Sequence, residues 1–77
     1  MKIKLSRHAK GRFRKLKLPD EILSETVNAP DNTSKDKLGH EVHWKKIPEG
    51  YLKVVCAIEE NKIVIVTVVL KSKRGKL

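Results

Sequence analysis

Residues 40–59 read HEVHWKKIPEGYLKVVCAIE, and the way the two halves of this stretch pair decides the fold. Each half alternates apolar and polar side chains around Pro48-Glu49-Gly50, the pattern of a β-hairpin. In the first strand, over 40–47, Val42 and Trp44 share a face; in the second, over 51–59, Leu52, Val54, Cys56 and Ile58 do. A three-residue loop at 48–50 pairs Ile47 with Tyr51, Lys45 with Lys53 and His43 with Val55, and on the other face Trp44 with Val54 and Val42 with Cys56. Apolar pattern and loop length agree on this register, which predicts that His43, Lys45, Tyr51 and Lys53 face away from any covering helix. Two lysines directly opposed on neighbouring strands repel by up to about 1 kcal/mol. Either an anion sits between Lys45 and Lys53 or both splay into water.

Working outward, Lys2-Ile3-Lys4-Leu5 alternates as a short strand, and Ser6 supplies a helix-capping hydroxyl. Ala9, Phe13 and Leu16 follow at helical spacing, giving a basic amphipathic helix whose outer side carries Arg7, Lys10, Arg14 and Lys17. Leu18-Pro19-Asp20 breaks it and opens a second helix with Ile22, Leu23 and Val27 inward, ended before Pro30. Residues 31–35 read as a polar edge strand, 36–39 as a turn, and 63–70 as a central strand apolar on both faces. A three-residue loop at Glu60-Asn61-Lys62 sets Thr67 beside Val55 on the open face; a two-residue loop turns it inward. The expected architecture is one α+β domain over 1–77: a strand, then a two-helix hairpin packed on one face of a small antiparallel sheet, with a basic, flexible tail over 71–77.

Charge narrows the partners. The 77 residues include 18 Lys and Arg against 9 Asp and Glu, a net +9. Residues 1–17 alone carry +8, residues 18–34 carry −4, and residues 63–77 add +4. Two basic ends on one small domain point to a polyanionic partner, a nucleic acid or an acidic protein, in preference to a merely soluble or thermostable lysine-rich surface. The chain is too short for a deep-pocketed enzyme, and its longest apolar run, Ile63 to Leu70, falls far short of the ~20 residues of a membrane helix. Lys2 and Lys4 interrupt the N-terminus, so no secretory signal is expected and the expected location is cytoplasmic. A lone Cys56 on the inward face is expected to be an inert thiol, and no Cys/His spacing suggests a metal or cofactor. His8 and Arg12 share one helix face, either as an acid/base with a phosphate anchor or as a packed seam. His40, next to Gly39, is expected to be solvated.

Ser6-Arg7-His8-Ala9-Lys10-Gly11-Arg12 resembles the Ser-x-His-Ala-x-x-Arg opening of a domain family of uncharacterised function. That family is similar in Pro30 after the second helix, in a YLKVV strand at Tyr51 to Val55 and in VTV at Val66 to Val68. It in turn resembles the RelE-like toxins, many of which are endoribonucleases of toxin–antitoxin systems. The resemblance implies a RelE-like protein that binds RNA, with metal-independent RNA cleavage and an acidic antitoxin as further expectations. The family motif falls on His8, Arg12 and Thr67. The tail after Leu70 lacks the catalytic Tyr or His typical of RelE-like enzymes, which leaves the enzyme question open. Expected proton-transfer groups are His43, His8, Tyr51 and Thr67; expected RNA contacts are Arg12, Arg14, Lys45, Lys53, Lys71, Lys73 and Arg74. The alternatives are a non-catalytic nucleic-acid-binding module and an antitoxin-partnered interaction protein.

Overall fold

The structure, a computed structural model, describes residues 2–71. Ser6 separates β1 (Lys2–Leu5) from α1 (Arg7–Leu16) and bonds to both neighbours of the turn. Its hydroxyl accepts the Ala9 N–H at 3.1 Å, satisfying an otherwise orphaned helix donor, and donates to the Val66 carbonyl at 3.1 Å. Ala9 and Phe13 form the buried stripe of α1, which ends at Lys17 in the left-handed conformation (φ 56°). In α2 (Glu21–Asn28), Leu23, Thr26 and Val27 are buried.

The remaining strands are β2 (Asn32–Lys35), β3 (Glu41–Ile47), β4 (Gly50–Glu59) and β5 (Lys62–Lys71), in the sheet order β1-β5-β4-β3-β2. The fold is α+β, but the sheet has five strands and is mixed: β1 runs parallel to β5, so the expected antiparallel sheet is corrected at that edge. The long passage through both helices, β2, β3 and β4 makes the parallel pairing sterically available. The helices differ from a closely packed hairpin as well. α1 lies on β5 and β1, α2 lies on β3 and β4, and they meet through one shared core. That core joins Ala9, Phe13, Leu23 and Val27 to Leu52, Val54, Cys56, Ile63, Ile65 and Val68.

The central hairpin is one residue out of the expected register. Ile47 pairs with Gly50 across a two-residue Pro48-Glu49 turn, with Gly50 at φ 142°, a conformation that side chains rarely adopt. Lys45 therefore opposes Leu52, His43 opposes Val54, and Trp44 opposes Lys53. A one-residue slip turns every side chain of the strand over. His43, Lys45 and Ile47 face the helices, while Val42, Trp44 and Lys46 face away. At the other hairpin the two-residue turn would turn Thr67 inward, but a bulge at Val66 restores one residue and sets Thr67 opposite Val55. Lys71 belongs to β5, so the tail does not begin there; Lys73 and Arg74 lie outside the described residues.

Ser6→Ala removes a helix cap and a strand-edge bond together. It should cost about 1–2 kcal/mol and lower Tm by roughly 5–15 °C, read by circular dichroism. Ser24→Ala, at an exposed helix position, should stay within about 0.5 kcal/mol of the parent.

Candidate nucleic-acid interface

The helix C-terminus of α2 explains why β3 turns His43 inward. The last carbonyls of a helix lack partners within it, and their dipoles favour positive or donating groups. α2 has no basic residue in its last turn. β3 supplies the donors instead: His43 Nδ1 lies 3.3 Å from the Thr26 carbonyl, and Lys45 Nζ lies 3.1 Å from the Ala29 carbonyl. A carbonyl only accepts, so this contact is a hydrogen bond in the tautomer that carries its proton on Nδ1. The other ring nitrogen faces Glu41 Oε1 at 3.1 Å. His43 is thus buried and doubly engaged beneath α2, not free on an open surface. Asp31, which the sequence reading passed over, extends this seam: its N–H donates to the Trp44 carbonyl at 2.8 Å, and its carboxylate accepts the Lys46 N–H at 2.7 Å.

The face away from the helices keeps part of the expected set and changes the rest. Tyr51 and Lys53 are there, as is Thr67; His43 and Lys45 are not. Lys46, Tyr51 and Lys71 stand abreast across β3, β4 and β5, which puts the two lysine backbones about 10 Å apart. In the next row Asn32, Trp44, Lys53 and Val69 align, and Lys53 Nζ stands 5.6 Å over the Trp44 ring. Lys2 and Lys4 on β1 and Lys62 on β5 share this face. Among the described strands it carries six lysines against the carboxylate of Glu59, which pairs with Lys62 at 3.5 Å. The signal that would have found Lys46 and Trp44 is Ile47: a buried isoleucine shares parity with His43 and Lys45.

The Ser-x-His-Ala-x-x-Arg motif is largely architectural. Ser6 caps α1, and Ala9 is fully buried where the helix meets the core. Arg12 Nε donates to the Val68 carbonyl at 3.1 Å, on the stretch of β5 that extends past β1. His8 is exposed on α1, on the helix side of the sheet, and so is Arg14. His8, His43 and Tyr51 therefore do not converge on one group. Ionic chemistry elsewhere is local. Desolvation is the largest single influence on Asp36 and raises it, but the N–H groups of His40 and Leu38 and the His40 ring together outweigh it and hold the carboxyl below its usual range. His40 is consequently tied to Asp36 at 3.3 Å and only half exposed. Among the described residues no group of three or more His, Cys, Asp and Glu is placed to hold a metal ion.

Cys56 is fully buried, and burial followed by the charge of Glu41 pushes its thiol up to about 11. It should resist iodoacetamide at pH 8 in the folded protein and react once denatured, as read by mass spectrometry. Because the folded thiol holds its proton longer than the unfolded one, stability should fall as pH rises from 9 towards about 11. His43→Ala leaves the Thr26 carbonyl without its donor and opens a void. It should cost about 1–3 kcal/mol, whereas Lys46→Ala should leave Tm nearly unchanged. Comparison of the chain with protein-family models, curated proteins and solved structures returns no match.

Proposed function

We propose that this is a RelE-like protein that binds RNA through the open face of its sheet. The observation that carries the reading is the run of lysines on its strands, interleaved with half-buried Tyr51 and with Trp44 beneath Lys53, against the carboxylates of Glu59 and, at the edge, Asp36. Ammonium groups meet phosphates, and aromatic rings suit unpaired bases, which is the usual composition of a single-strand binding surface. The RelE-like assignment is supported by two helices over a five-stranded sheet whose other face carries no helix among the described residues. Attack by a 2′-OH needs a base to take its proton and an acid to protonate the leaving oxygen. Among the described residues no strand presents a histidine on the open face, and His40 at its edge is tied to Asp36. That face offers Tyr51, Thr67, lysines and the Lys62-paired Glu59 for these roles. Binding without cleavage is therefore the function the geometry supports best.

An acidic protein partner has one observation in its favour. Between α1, α2 and β1 runs a groove of about 530 Å³, floored by Ile3, Leu5, Phe13 and Leu23 and rimmed by Lys10, Arg14 and Lys17 against a single acid, Asp20. A small acidic protein that copurifies with the chain and is lost on Arg14→Glu would support that partner.

Single-stranded RNA incubated with the protein in chelator should be bound and left intact. Cleavage of RNA but not of its 2′-deoxy analogue would contradict the non-catalytic reading. Lys46→Ala with Lys71→Ala should weaken binding and reduce the slope of log K against log salt by about 1.4, two contacts at about 0.7 each. An unchanged slope in that pair, with loss of binding on Arg7→Ala and Lys10→Ala instead, would move the interface to α1.

A further inference from the structure

Trp44 sits on the side of the sheet that has no helix, yet it is only 4% exposed. Val42, Val55 and Tyr51 pack with it, and the Lys53 side chain lies over its ring. Beside the ring opens a recess of about 250 Å³. Its floor is Val42 and Trp44, one wall is Asn32 and Ser34 from the edge strand, and Lys35, Asp36 and Lys53 complete the rim. An apolar floor bordered by a few polar groups is the ordinary make-up of a small-ligand site.

We propose that this recess takes one unstacked nucleobase of a single-stranded RNA. The inference rests on the RNA-binding reading above and adds a base-reading subsite to it. Register places Asn32 opposite Trp44 and Ser34 opposite Val42, so an amide and a hydroxyl border the apolar floor. Both groups donate and accept, which matches the mixed edges of a base. The Asp36 carboxylate stays charged, and Lys35 and Lys53 on the same rim offset its repulsion of the strand. Lys53 is the movable element. Its contact with Trp44 is a single cation–π pair at 5.6 Å, weaker than a base stacked on an aromatic ring. An entering base displaces the ammonium, which is then free to meet the flanking phosphate.

Trp44 is the only tryptophan in the chain, so its emission reports on the recess directly. The test titrates the protein, in chelator and low salt, with a single-stranded RNA octamer and with an abasic strand of equal length and charge. The octamer should quench Trp44 saturably and bind at least about ten-fold more tightly than the abasic strand. Asn32→Ala with Ser34→Ala, both on an exposed edge strand, should bring the octamer to within about three-fold of the abasic strand while abasic binding is unchanged. Equal affinity for the two strands with Trp44 emission unaltered would overturn the subsite and leave phosphate-based RNA binding standing. Failure of both strands to bind would overturn the subsite together with the RNA-binding reading.

Discussion

The bonds from His43 and Lys45 to the carbonyls at the end of α2 set the face of β3, and the face of β3 sets the character of the free surface. A helix terminus leaves its last carbonyls without partners inside the helix, and a sheet packed beside it can supply donors. Here they come from a strand more than a dozen residues further along the chain, so a local need of α2 is met by a tertiary contact. With the imidazole and one ammonium committed to that seam, the opposite parity of the same strand delivers Val42, Trp44 and Lys46 outward. The polar residues of β3 are thus divided between holding a helix and meeting solvent.

The other edge of the sheet follows a similar logic. β1 covers only the first part of β5, and the rest of that edge exposes carbonyls to pairing by another chain. Ser6 and Arg12 take the carbonyls of Val66 and Val68, which fastens α1 along the uncovered stretch. The bulge at Val66 falls where α1 begins, and it also returns Thr67 to the open face. A motif that reads as candidate chemistry in the sequence is, in three of its four positions, the fastening of a helix to a strand edge.

Much of the fold was legible because its signals are local. The Ser6 cap, the Ala9–Phe13 stripe, the break at Pro19 and the alternation of β4 each act within a few residues, and the elements fall close to the expected bounds. The parity of β3 was only weakly legible, because Val42 and Trp44 form a plausible inward pair, Ile47 alone argues for the other face, and the demand that decides sits on α2. The parallel docking of β1 was hidden for the same reason: nothing within Lys2–Leu5 names its partner strand. Of the candidate site, Tyr51 and Lys53 kept their expected face, Thr67 took one of the two left open to it, and His43 and Lys45 exchanged theirs with Trp44 and Lys46.

The orientation of β3 is open to direct observation by solution NMR of the free protein. Cross-relaxation should join the Trp44 indole to Val42, Val55 and Tyr51, and the His43 ring to Thr26. Indole contacts with Leu23 or Val27 on α2, together with a His43 ring close to Val55, would reverse the strand and contradict the account.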